Sequence, residues 1–262
     1  MLGKLMKYEF KATGRIFLPL FAALLIISII NRILSSLGFS TPSVIGTVVS
    51  VILMVGIAVL SFVLTLQRFR NNLLSSEGYL TMTLPTKVDN HILSKLFVAT
   101  IWIIASCLVM AASIMIMAVN DISFSAIGRT LSAFFENFRL SPLELVIYAI
   151  EGVILAVVSL FSGILLLYTC MSLSMLVNKH RGLFGFGAFI VITTALQIIS
   201  ALLAVAANAL NVNDFYYRVF GGIGTFKAVQ LIIAVVFLFE AILCVIYYFV
   251  TRYMLKNKLN LQ

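Results

Sequence analysis

The chain alternates long uncharged apolar stretches with short charged clusters, and that alternation sets its class. No charged residue lies between Arg15 and Arg32, between Arg32 and Arg68, or between Lys95 and Asp121, and Leu, Ile, Val, Phe and Ala dominate these stretches. Three more run from Glu151 to Lys179, from Arg181 to Asp214 and from Lys227 to Arg252, the last interrupted only by Glu240. A helix rising 1.5 Å per residue needs roughly 20 apolar residues to cross a hydrocarbon core about 30 Å thick. Most of the stretches supply them, and the first must run on through Asn31 and Arg32. The pattern predicts an all-α polytopic membrane protein, one transmembrane domain over residues 1–262, with spans near 16–37, 42–66, 93–119, 145–177, 183–210 and 226–251.

Composition excludes the soluble alternative. The sequence is 62% hydrophobic and 10% charged, against about 45–50% and 25% in soluble domains, so a water-facing surface could not be built from it. Lysine and arginine are retained on the cytoplasmic side of membranes. With the N-terminus inside, Lys4, Lys7, Lys11, Arg15, Arg68, Arg70, Lys87, Lys95, Lys179, Arg181, Arg252, Lys256 and Lys258 fall on that side, and only Arg32, Arg129, Arg139, Arg218 and Lys227 outside. Both termini are then cytoplasmic. The net charge of +9 reads as a topology signal, with no call for nucleic acid. The first apolar run leads into Asn31 and Arg32 rather than a small-residue cleavage site, so it is expected to stay as a span. Cys107, Cys170 and Cys244 lie in different spans without CxxC spacing, which gives no support to a disulfide or zinc site.

Residues 1–15 carry their own pattern. At 100° per residue Lys4, Lys7, Lys11 and Arg15 share one face, while Leu2, Leu5, Met6 and Phe10 occupy the other with Glu9 among them. That predicts an interfacial amphipathic helix, its apolar side in the acyl boundary and its basic side toward anionic headgroups. It can serve as a topology anchor, or as an arm transmitting force from a cytoplasmic partner through Glu9. A lone carboxylate on an apolar face wants a partner.

The segment 67–92 is the most informative cytoplasmic stretch. It holds Phe69, Leu73, Leu74, Tyr79, Leu80, Met82 and Leu84, too many large apolar residues for a solvated loop. Gly78 can break its first helical piece, Pro85 ends the next, and Thr86 with Asp89 reads as a capping box for the third span. Either a partner protein covers these side chains or the loop packs on its own bundle.

The words KYEFKATGRIFLP at 7–19 and EGYLTMTLP at 77–85, with six spans and this topology, resemble the permease subunits of ABC-2 type ABC transporters of Gram-positive bacteria. The resemblance implies an elbow helix at the N-terminus and, between spans two and three, a coupling helix that docks in a groove of an ATPase. The residues carrying that contact here would be Glu9, Phe69, Leu73, Leu74, Glu77, Gly78, Tyr79, Leu80, Met82, Leu84 and Pro85. It further implies the bacterial cell membrane, two ATPase copies and a second permease, with a homodimer expected. The chain has no GxxxxGK[ST] phosphate loop, so ATP and magnesium would sit on the partner and no cofactor on this chain. The implied activity is export of an amphipathic or apolar substrate, peptide first. A motor-independent carrier or membrane scaffold is the alternative.

Enzyme chemistry finds little to stand on: HExxH and GxSxG are absent, and His91 and His180 read as solvated loop residues. Within the bilayer, Glu240 lies 13 residues after Lys227 and 12 before Arg252, roughly 18 Å from either by helix rise. A charge at that depth costs roughly 2.5–3.5 kcal/mol, so the side chain should face the interior. Tyr247 shares its face and Gln230 lies on the same helix. The group is either a structural bond or part of the translocation route. At the outer side, where the fourth span starts, Glu144 and Glu151 share a face with Tyr148, as an acidic lip for cationic cargo or as a solvated helix end.

Overall fold

In the computed structural model of the chain, the described residues are 2–74, 88–118, 141–177, 179–209 and 225–257. They form six long helices: α1 (Leu2–Ser36), α2 (Ser40–Phe69), α3 (Val88–Ala118), α4 (Pro142–Leu173), α5 (Arg181–Ala209) and α6 (Thr225–Asn257). Each of the six includes a stretch long and apolar enough to cross a membrane, and many of their Leu, Ile, Val and Phe side chains are exposed. Such surfaces are stable only against lipid. The chain is an all-α, six-span membrane protein, and its helices fall into two compact units, α1–α3 and α4–α6.

In the first unit the amphipathic segment is the opening of α1, continuous with the first span through Pro19. Its basic side is exposed at Lys4, Lys7, Lys11 and Arg15. The apolar side does not lie free for lipid as expected: Met6 and Phe10 pack against a core of Phe17, Phe21, Leu24, Ile57, Val98 and Trp102. The Trp102 indole is the centre of that core, stacked on Phe17 at 4.9 Å and tilted against Phe10 at 5.7 Å. Aromatic contacts of this kind add to area burial, so protein covers what the sequence pattern assigned to the acyl boundary. Gly14 faces the same ring, and a Cβ there would sit 3.4 Å from it.

The turn from α1 to α2 follows from Gly38. Its φ of +80° ends α1 in the left-handed region, with Phe39 N–H bonded to the Leu34 carbonyl and Gly38 N–H to the Ser35 carbonyl, both at 3.1 Å. Pairs of hydroxyls then tie the spans: Ser28 to Ser113 at 2.5 Å and Ser61 to Ser106 at 3.2 Å. Asn31 donates to Thr47 Oγ1 at 3.0 Å.

In the second unit the links between α4 and α6 run in one order along both helices. Gln230 Nε2 donates to Glu151 Oε2 at 2.9 Å, Cys244 Sγ faces the Val158 carbonyl at 3.7 Å, and the Thr169 and Thr251 hydroxyls lie 3.0 Å apart. The two helices are therefore parallel, as two even-numbered spans must be.

Candidate functional site, a charged corner on three helix ends

The strongest polar constellation in the described residues joins Glu9 near the start of α1, Arg68 at the end of α2 and Lys95 near the start of α3. Arg68 Nη1 donates to Glu9 Oε2 at 2.9 Å and Lys95 Nζ to Glu9 Oε1 at 2.5 Å. The side chains keep 25%, 14% and 5% of their exposure for Arg68, Glu9 and Lys95. Both carboxylate oxygens are engaged by cations of the same chain, so the partner Glu9 wanted is internal. Burial works against the ionised acid, but Lys95 and then Arg68 outweigh it and hold the Glu9 carboxyl below its ordinary value. One anion between two cations leaves the corner with a surplus positive charge.

His91 stands one helical turn before Lys95. The expectation of a solvated loop residue is corrected here: it lies in α3 and is buried. Burial first, and the nearby Lys95 second, lower its pKa from the usual imidazole value, which favours the neutral ring. His180 is exposed, as expected.

The corner brackets the segment that the resemblance assigns to coupling. Arg68 precedes that segment and Lys95 follows it. Of the residues named for ATPase contact, Phe69, Leu73 and Leu74 are buried within the chain, the last two in a π-helical turn, Arg70–Leu74, that follows α2 directly. These three need no partner protein to leave water. Glu77, Gly78, Tyr79, Leu80, Met82, Leu84, Pro85 and the capping Thr86 lie outside the described residues.

The intramembrane group divides. Gln230 belongs with Glu151 and not with Glu240 and Tyr247, a correction to the grouping read from sequence, because the parallel register of α4 and α6 sets 230 opposite 151. That bond also engages one of the two acids of the expected lip, and Glu144 is half-buried at the start of the same helix. Glu240 and Tyr247 lie on the packed side of α6 as expected. Glu240 Oε2 and the Tyr247 hydroxyl are both buried without a hydrogen-bond partner among the described residues, so no bond joins them.

Sequence reading missed the hydroxyl pairs and Trp102. The available signal was a serine or threonine recurring inside apolar spans at positions 28, 61, 106, 113, 169 and 251, but such hydroxyls also bond their own helix one turn back, as Ser28, Ser61, Ser106 and Thr169 do here. Comparison of the chain with protein-family models, with curated proteins and with solved structures finds no match.

Proposed function

We propose that this chain is the membrane-spanning permease subunit of an ATP-driven exporter of the ABC-2 type, carrying an amphipathic or apolar substrate, with peptide as the first candidate. The observation that supports it best is the Glu9–Arg68–Lys95 corner. A coupling segment does work only if its displacement reaches the spans, and here its two flanking helix ends are fastened to the amphipathic start of α1. A push on residues 75–87 would be delivered to α1, α2 and α3 together rather than lost in a loose loop. The EGYLTMTLP run at 77–85 supplies the docking surface in this reading, and its remaining apolar residues after the buried Phe69, Leu73 and Leu74 are those a motor would cover. The proposal includes a pair of permeases, two ATPase subunits binding ATP and magnesium, and a bacterial cell membrane with both termini on the cytoplasmic side.

The test is replacement of Tyr79 and Leu80 together by Ala, with Arg129→Ala in the segment between the third and fourth spans as control. Both proteins are co-expressed with the candidate ATPase subunit, and co-purification and ATPase activity in reconstituted membranes are measured. The double variant is expected to insert normally yet lose the ATPase or the stimulation of its hydrolysis. Association and coupling equal to the control, or a functional chain recovered with no ATPase, would leave the carrier or scaffold reading in its place.

A further inference from the structure

The corner between α4 and α5 holds a feature that the exporter reading does not use. A short 3-10 turn, Ser174–Leu176, and an extended Val177 lead to His180, whose φ of 57° swings the chain into α5. Beside this turn runs a cavity of about 740 Å³, walled by Leu173, Leu176, Leu183, Phe184, Val191 and Ile192, with Lys179 and His180 at one end. The walls are carbon, and Leu176, Leu183 and Val191 are more than half exposed. Gly187 leaves the trench open, since a Cβ there would meet nothing within 4 Å.

Length, depth and charge identify the occupant. From Leu183 to Ile192 the trench follows α5 for roughly 14 Å by helix rise, close to half of a hydrocarbon core about 30 Å thick. It begins at the charged end of the span and stops near mid-membrane, which is the reach of one leaflet's acyl chain. At its mouth Lys179 is exposed. Arg181, the first residue of α5, does not itself wall the trench but follows His180 directly, and its Nε is buried without a hydrogen-bond partner among the described residues, a donor left waiting for an acceptor. A soluble peptide cannot enter a trench lying within the span, and a neutral lipid leaves the cations unmatched. We propose that this trench binds one anionic phospholipid, an acyl chain lying along α5 and the phosphate held at Lys179 and Arg181.

The experiment titrates the delipidated full chain in detergent with phosphatidylglycerol and with phosphatidylcholine of the same acyl chains, counting bound lipids by native mass spectrometry. One phosphatidylglycerol is expected to bind more tightly than phosphatidylcholine. Lys179→Gln with Arg181→Gln should weaken that site roughly thirtyfold, as loss of two cations near an anionic headgroup implies, and abolish the preference. Gly187→Phe should block the site with all charges kept. Val191→Trp, which fills the trench from an exposed wall position, repeats that test should Gly187→Phe fold poorly, with Ile190→Trp on the neighbouring exposed position as its control. Lys4→Gln with Lys7→Gln should leave the site intact. Equal binding of the two lipids, undiminished binding when the trench is filled, or a preference that follows Lys4 and Lys7 would overturn the proposal.

Discussion

Lys95 Nζ stands 2.5 Å from Glu9 Oε1, and the lysine side chain keeps only 5% of its exposure. An ammonium so enclosed depends on its counter-ion, because removing one partner of a buried pair strands the other charge. Glu9→Gln strands Lys95 and is expected to cost about 3 kcal/mol. Lys95→Met leaves Glu9 its bond to Arg68 and should cost only about 1 kcal/mol. The double variant should then lie near Lys95→Met, far from the sum of the two. Denaturation of the four proteins in one detergent measures this, and additive losses would show that the charges do not interact.

The pH dependence has a definite sign. The folded Glu9 carboxyl lies below its ordinary value of 4.5, so the folded state binds a proton there less readily than the unfolded chain. Its contribution is therefore complete above the unfolded value and is lost as pH falls through the lowered folded value. Between pH 7 and 5 the stability gap between the wild-type chain and Glu9→Gln should stay constant, and below about pH 4.5 it should begin to close, vanishing as pH falls through the lowered folded value. Melting temperatures taken across that range check the expectation. A gap that closes already at pH 6 would assign the effect to another group, with His91 first in line.

How the spans were legible, and the corner was not, has a physical basis. An uncharged run such as 96–120 announces a span because the bilayer demands it locally, and α3 covers Val88–Ala118 accordingly. Periodicity likewise put Glu9 on the apolar side of α1. Its partners lie 59 and 86 residues away, and nothing local encodes which helix ends meet. Met6 and Phe10 read as lipid-facing for the same reason, since an apolar face looks alike whether a bilayer or Trp102 covers it. Gln230 shows the limit most clearly: on its own helix it belongs with Glu240, and only the parallel packing against α4 gives it to Glu151.

Gly46 of α2 marks a close approach to α1. A Cβ there would fall 2.5 Å from Asn31 Oδ1 and 3.2 Å from Asn31 Cβ, so Gly46→Ala must push the amide away from Thr47 and lose their bond. Overpacking of this sort costs roughly 1–3 kcal/mol. Gly56 lies on the same helix with nothing within 4 Å of its Cβ position, so Gly56→Ala should be neutral or gain up to about 1 kcal/mol from helix propensity. The thermal midpoint should fall for Gly46→Ala and stay level or rise for Gly56→Ala. Equal shifts would mean that α1 and α2 do not pack closely at Asn31.

Glu240 offers the sharpest separation of stability from function. Its Oε2 is buried at the centre of α6 without a hydrogen-bond partner among the described residues, and the neighbouring Tyr247 hydroxyl is in the same condition. A carboxyl kept for structure would be bonded, and truncation would then expose an orphaned partner. Without such a bond, Glu240→Leu removes a polar group from the apolar interior and should leave stability unchanged or raise it by about 1–3 kcal/mol. Glu240→Gln keeps shape and polarity but cannot ionise, and should preserve assembly equally well. If the acid serves the translocation route, both variants lose transport while remaining folded, and Tyr247→Phe, which removes the adjacent hydroxyl, weakens it in the same direction. Melting temperature and transport, measured on the same preparations, decide between the two roles. Destabilisation by Glu240→Leu with transport retained by Glu240→Gln would make the residue a structural one and take it out of the mechanism.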